Sequence, residues 1–473
     1  MYIQTICNPV IASMASGTIM FFINGCTLTW SSPVIPKLQD PVESPFGYPV
    51  SDDDVVWITS IIFLGAVIGS FLYGFLADEL GRKYTYLFLG VPVLFSFVLM
   101  AYVNSLKSYY LGRFLAGIPL GGSITVATLC GGEIPSKSTR SIYNAISCVV
   151  YSLGFLFPYA VGPWIPVTTL NTILAGVCVV FIVVYYIFGE ETAYFYALKN
   201  NGEKARSTLE RLRNKADIEQ ELREINARIE EEKEGSLWYN MMSKTVANGF
   251  IISVGLIFFQ QFCGMNRLSI YTQIIFEMTG SNLEPEISSV ILASVSFITT
   301  LPMVFLAEKF DRKTILIASA FGMAIFQVLL GVYCYLQDNQ VDVEAIKFVP
   351  LMTLALVVFF YNNGLGPYPF LLLAEIFPTR VRAFSSAIVI ALMWCFVFVD
   401  SFFTTDLVDS VGLGQSFWFY AAFCVAAMIF VKFVLIETKG KTLEEIQSDL
   451  AQRRTTTVDT ISHSELYRVS LQT

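Results

Sequence analysis

The chain has 473 residues, 55% of them hydrophobic and only 14% charged, with a formal net charge of −8. Soluble proteins carry about 25% charged residues, so this composition excludes an ordinary water-soluble fold and makes lipid the expected solvent; no nucleic-acid partner is expected. Nine cysteines are scattered without a CxxC pair or Cys/His cluster, and the single histidine, His463, lies near the C-terminus, so neither a disulfide scaffold, a metal site nor a histidine proton relay is expected.

A spanning helix needs about 20 predominantly apolar residues. In chain order twelve stretches qualify, at 10–32, 53–77, 84–103, 107–130, 140–162, 168–189, 245–270, 287–307, 314–336, 346–374, 383–405 and 415–436. The first is long enough to span rather than to serve as a cleavable signal. With the N-terminus inside, the inner joints hold Arg82, Lys83, Lys137, Arg140, Lys309, Arg312, Lys313, Arg380 and Arg382, whereas the outer joints hold only Lys37, Lys107 and Lys347. This positive-inside asymmetry places both termini in the cytoplasm. The fold class expected is therefore an all-α membrane protein of twelve transmembrane helices. Residues 190–244 interrupt the apolar pattern with mixed charges and strong helix formers, as expected of short amphipathic helices beneath the membrane. The Thr/Ser-rich stretch from Ala451 reads as a disordered tail.

The second half echoes the first. Asp78, Arg82 and Lys83 in "GFLADELGRK" match Glu308, Arg312 and Lys313 in "VFLAEKFDRK", 230 positions on. "EIPSKSTR" spaces Glu133 and Arg140 as "EIFPTRVR" spaces Glu375 and Arg382, and "GEETAYF" is echoed by "IETKGKT". Three echoes in order imply two six-helix bundles of the same orientation, the architecture of a rocker-switch transporter with its site between the halves. The divisions expected are a first bundle at 1–189, cytoplasmic linker helices at 190–244, a second bundle at 245–436 and a cytoplasmic tail at 437–473.

The seventh stretch carries Gln260, Gln261 and Asn266. Unpaired amides are costly in hydrocarbon, so these should face the bundle interior, where groups that both donate and accept suit a polar solute. The plain alternative is interhelical bonding. "NNGLGPYPF" places Pro367 and Pro369 within the tenth stretch, which breaks the helical ladder and is tolerated where the backbone lines a cavity. Arg267, Arg113 and Asp400 are intramembrane charges, each a functional-site hypothesis by default.

"GFLADELGRK", "GRFLAGIPLGG", "QQFCGMN", "GLGPYPFLLLAEIFPTRVR" and "ETKGKTLEEI" together resemble the sugar porter family of the major facilitator superfamily over nearly the whole chain. "LTWSSPVIPKL" is most similar to insect-type trehalose and hexose facilitators. The resemblance implies sugar contacts at Gln260, Gln261, Asn266, Tyr271, Asn362, Phe370 and Trp394, with Phe370 standing where many members have tryptophan. It also implies an inner gate of ion pairs built from Asp78, Arg82, Glu133, Arg140, Glu308, Arg312, Glu375 and Arg382. Cys148, Ser296 and Met393 stand where the family usually carries hydrogen-bonding residues. Thr27 stands where proton-linked members carry an acid, which points to passive uniport.

The expectation is a facilitative transporter of trehalose or a hexose such as glucose across the plasma membrane, working as a monomer and without a cofactor. A proton-coupled symporter and a transporter-like sugar sensor with weak flux are the alternatives. An enzyme is not expected, since no nucleophile–base pair stands out.

Overall fold

A computed structural model describes residues 9–134, 140–213, 218–233, 243–265, 268, 285–303, 306, 309–346, 348–439, 441 and 443–452. Among these residues the regular structure is helical. Ten helices are long and apolar enough to cross a membrane, and a shorter apolar helix covers Val290–Thr300. The first half holds α1 (Pro9–Thr29), α2 (Ser31–Gln39), α3 (Asp52–Leu80), α4 (Arg82–Tyr102), α5 (Leu106–Glu133), α6 (Arg140–Val161) and α7 (Val167–Phe188). Three short helices follow, α8 (Ala193–Leu198), α9 (Gly202–Leu212) and α10 (Ile218–Lys233), where the sequence predicts an amphipathic linker. The second half holds α11 (Lys244–Gln261), α12 (Pro285–Thr300), α13 (Arg312–Asp338), α14 (Val349–Asn362), α15 (Tyr368–Ile376), α16 (Thr379–Val411), α17 (Leu413–Val434) and α18 (Leu443–Gln452).

Two details depart from the predicted stretches. The first does not run straight through: it stops at Thr29, and α2 follows as a separate helix. Lys37 fixes α2 in place by donating to three carbonyls, of Gly162, Pro163 and Ile165, at 3.0, 2.8 and 2.7 Å. The tenth is divided into α14 and α15 by residues 363–367, as the glycines and prolines there require.

Helix starts follow simple rules. Ser51 caps α3 by accepting from the Asp54 N–H at 3.3 Å, and Asp52, Asp53 and Asp54 crowd its first turn, where the helix dipole favours negative charge. At its other end Gly81 adopts φ +96°, and a Cβ there would sit 2.3 Å from Oε2 of Glu191. That glycine lets α4 begin directly beneath a carboxylate.

Packing within the first half depends on small residues. Gly65 and Gly69 of α3 lie against Gly117 and Gly121 of α5, each so near the opposite backbone that an added methyl would fall 1.8–2.2 Å from a carbonyl oxygen. Such close approach is how helices associate in lipid, where apolar side chains gain little by leaving their neighbours. Large apolar side chains such as Phe75, Phe95, Tyr186 and Phe433 are exposed, the outward face expected of a lipid-solvated body.

The buried residues form two principal cores. One contains Met20, Trp30, Tyr86, Phe97 and Phe181 of the first half; the other contains Leu256, Met323, Val357, Tyr368 and Phe417 of the second. A third cluster bridges them: Ile62, Ala66 and Leu120 meet Ile257, Val389, Met393 and Trp394. This seam, where α3 and α16 pack, is apolar among the described residues.

Candidate functional site

The two glutamines end α11 side by side. Gln260 is 3% exposed, and its Nε2 donates to the Gly366 carbonyl, inside the break between α14 and α15. Gln261 is half-buried and donates to Oε1 of Gln260 at 3.4 Å. One amide pair therefore joins the two interrupted helices of the second half. Asn362, at the end of α14, donates to the carbonyl and Oγ of Ser296 (3.0 and 3.2 Å) and to Oγ1 of Thr299 (3.0 Å). It thus holds α12 against α14 in this state. Asn363 donates to the Thr299 and Phe359 carbonyls, both at 2.8 Å, and its Oδ1 is buried without a hydrogen-bond partner.

Trp394 lies in the seam, 5% exposed, with its ring stacked on Phe63 of α3 at 5.9 Å and 15° between planes. Its Nε1–H is buried and unpartnered. A buried indole N–H ordinarily finds an acceptor, so this donor and the Asn363 acceptor are the kind of groups that a hydroxylated solute satisfies. Phe370 is half-buried and packs at the margin of the same seam. Asn266, Arg267 and Tyr271 lie outside the described residues.

The first half has a polar interior of its own, of which the sequence singles out Arg113 and Thr27 but neither Asn24 nor Asn171. Asn24 donates to Oγ of Ser123 at 2.7 Å, both buried. Arg113 is 1% exposed; its Nη1 donates to the Thr27 carbonyl at 2.8 Å, its Nε to the Ile58 carbonyl at 3.1 Å, and its guanidinium carbon lies 5.0 Å from the centre of the Trp30 ring. Among the described residues no carboxylate pairs with it. Trp30 in turn donates to Oδ1 of Asn171 at 2.6 Å. Asp400 is buried on α16.

The charged joints between the spans assemble within each half. Arg82, 1% exposed, meets Glu133 through Nε (3.1 Å) and Nη2 (3.3 Å), Asp78 at 3.2 Å and the Ala77 carbonyl at 2.9 Å. The corresponding Arg312 meets Glu375 at 3.5 Å, and Glu375 also accepts from Oγ1 of Thr438 at 2.5 Å. Glu308 and the side chains of Arg140 and Arg382 lie outside the described residues. The pairs that are described join spans of one half to each other, and none crosses the seam.

The third sequence echo acquires a physical meaning. Glu191 accepts from the backbone N–H groups of Arg82, Lys83 and Thr192 at 2.8, 3.2 and 2.9 Å, a carboxylate seated on the N-terminus of α4. Glu437 does the same for α13, accepting from Arg312, Lys313, Thr438 and Lys439 at 3.0–3.1 Å. Their titration differs. Burial pushes Glu191 above the usual glutamate value despite its backbone donors. At Glu437 burial acts the same way, but four backbone N–H groups outweigh it and hold the carboxyl below that value.

The linker joins the inner surface as well. Arg211 pairs with Glu190 at 2.5 Å, and Arg213 pairs with Glu221 at 2.9 Å while donating to the Ile134 carbonyl at 2.8 Å.

The family described as "Sugar (and other) transporter" matches residues 10–450 of this chain. A facilitated trehalose transporter of Apis mellifera ligustica is 30% identical over 464 residues, covering 97% of this chain and 90% of that protein. The facilitated trehalose transporter of Bombyx mori is 29% identical over 404 residues, 85% of this chain and 80% of that protein. Among solved structures, the proton:xylose symporter XylE bound to 6-bromo-6-deoxy-D-glucose superimposes with a TM-score of 0.77 at 23% identity, covering 93% of this chain and 99% of that one. The human organic anion transporter MFSD10 follows the same fold with a TM-score of 0.62 at 14% identity.

Proposed function

The chain belongs to the sugar transporter family, and from that premise we propose that it carries trehalose or a hexose such as glucose by facilitated uniport. In this reading the sugar binds between the halves. Gln260, Gln261, Asn266, Tyr271, Asn362, Phe370 and Trp394 contact it, and the inner joints part and close as one half rocks against the other. The plasma membrane is its site, with both termini cytoplasmic.

The observation that carries uniport is the setting of Arg113. A proton-coupled cycle needs a carboxyl group that is protonated on one side and released on the other. Thr27, at the position where the sequence resemblance places that acid, offers Arg113 its backbone carbonyl, beside the Ile58 carbonyl and the Trp30 ring, and among the described residues no carboxylate pairs with it. A cation held by neutral dipoles keeps its charge through the cycle and has no proton to trade. The facilitated trehalose transporters among the relatives support the substrate class.

Uptake of labelled trehalose and glucose into vesicles, with external pH varied and Gln261→Ala as control, tests the proposal. Saturable uptake independent of a proton gradient and lost in the variant is the expected result. Uptake driven by an inward proton gradient would overturn uniport and direct attention to Asp400, the buried acid of α16. No flux of either sugar from correctly inserted protein would favour a sensor.

A further inference from the structure

Helix α11 stops at Gln261 inside the apolar body. The Phe262 N–H still reaches the Phe258 carbonyl, but Gly264 turns to φ +83°. A Cβ at Gly264 would lie 2.8 Å from Cβ of Tyr420 and 3.1 Å from Nε2 of Gln327, so both the conformation and the space call for glycine. A helix that ends away from water leaves carbonyls in need of donors. The Cys263 carbonyl finds its donor on another helix: Nε2 of Gln327, on α13, at 2.6 Å. Gln327 is fully buried. Cys424 of α17 places its Sγ 3.7 Å from the same carbonyl and 3.8 Å from Oε1 of Gln327, while the Cys263 thiol reaches the Gln260 carbonyl at 2.9 Å.

A buried amide is a costly way to fill space. An apolar side chain would pack against α11 equally well, yet here the amide serves a single backbone turn. That turn lies immediately after the two glutamines, and a shift of its carbonyl rotates the last turn of α11, on which both are mounted.

We propose that Gln327 is a positioning residue for transport: from behind the site it clamps the Phe262–Gly264 turn and so fixes where Gln260 and Gln261 point. It does not touch the sugar. The inference rests on the reading of those glutamines as sugar contacts.

Three variants test it. Gln327→Met keeps the length and removes the donor. Gln327→Asn keeps an amide one methylene too short to reach, and stands in if the Met variant fails to fold. Gln327→Glu restores a donor, because a carboxyl group buried in apolar surroundings stays protonated. Two readouts are needed: the concentration dependence of labelled sugar uptake, and hydrogen exchange at the backbone amides of 262–265. Removing the donor should raise KM about fivefold or more with Vmax changed less, and should accelerate exchange at the turn; Gln327→Glu should restore both. Unchanged exchange in the Met and Asn variants would overturn the clamp. So would a fall in Vmax or in protein yield at constant KM that Gln327→Glu does not repair, the pattern of a merely structural residue. Gln261→Ala separates the two readings. If its KM matches wild type, the sugar contact is wrong, and exchange at the turn alone then judges whether Gln327 holds the turn.

Discussion

Gly117 of α5 faces α3 at a distance that leaves no room for a side chain. A methyl there would fall 1.9 Å from the Ile62 carbonyl oxygen and 2.8 Å from its carbon, whereas ordinary contact begins at 3.4 Å. The obstacle is backbone, so no rotamer change relieves it, and the helices must part by about 1.5 Å, the difference between those oxygen distances. Gly65, Gly69 and Gly121 lie along the same line of contact, so separating one point opens the whole line. Nor can α3 retreat freely, since Phe63 on it is stacked against Trp394. Overpacking of this kind costs about 1–3 kcal/mol, against which the better helix propensity of alanine returns about 1 kcal/mol. With the backbone itself in the way the cost lies at the upper end of that range, so Gly117→Ala should lower the melting temperature of the detergent-solubilised protein by about a degree or two and reduce uptake, because α3 packs against α16 of the other half. Gly176, on α7, has open space where a methyl would go, with nothing within 4 Å, so Gly176→Ala should melt at or above the wild-type temperature. A Gly117→Ala protein that melts with the wild type would refute the reasoning.

Arg82→Lys removes the two-pronged contact with Glu133 and the bond to the Ala77 carbonyl, and should cost about 1–3 kcal/mol in a denaturation assay; Arg312→Lys, whose partner Glu375 also has Thr438, should cost less, and equal losses would count against the asymmetry. Trp394→Phe keeps an aromatic ring against Phe63 but removes the unpartnered N–H together with part of the buried ring, so KM for sugar should rise while the lost packing lowers the melting temperature slightly; an unchanged KM would reduce Trp394 to a packing role. For pH the signs oppose. Glu437 has a lowered folded-state pKa, so its stabilisation is present above the unfolded value and is lost as pH falls through the folded one; Glu437→Gln should flatten the acid limb of a stability–pH curve. Glu191 has a raised folded-state pKa, so its contribution is greatest below the unfolded value and declines as pH rises through the folded one; Glu191→Gln should leave the acid limb in place, and loss of that limb would reverse the assignment.

The helices and the duplicated joints were legible because each is written locally. About 20 apolar residues in a row need no partner to be recognised, and a joint such as "GFLADELGRK" carries its charges within ten positions. The pairing inside the charged cluster was harder: the sequence groups Asp78, Arg82, Glu133 and Arg140 without saying which meets which, and the structure brings Arg82 to Glu133 across 51 positions. Asn362 shows the same limit. It reads as a pathway residue, and nothing nearby in the sequence says that its amide bridges to Ser296 and Thr299. Asn24 and Gln327 escaped for a related reason, as did the partners of Arg113, since each side chain acts on a backbone or hydroxyl group of a distant helix, and such acceptors leave no mark in a residue pattern. The break at Gly364–Pro367, by contrast, is imposed by the residues themselves.

The last helix bears on how the protein is made. Asn248, near the start of the second half, donates to the carbonyl of Leu450, 202 positions later, and Gln447 donates to the Ile376 carbonyl at the inner end of α15. During synthesis the first half can assemble its core and seat Glu191 on α4 well before the second half exists. In the second half α11, its first helix, gains the Asn248 contact only once nearly the last turn of α18 has been made. A chain that ends short of α18 would therefore keep the contacts of its first half and lack the two hydrogen bonds that tie α11 and α15 to its last helix.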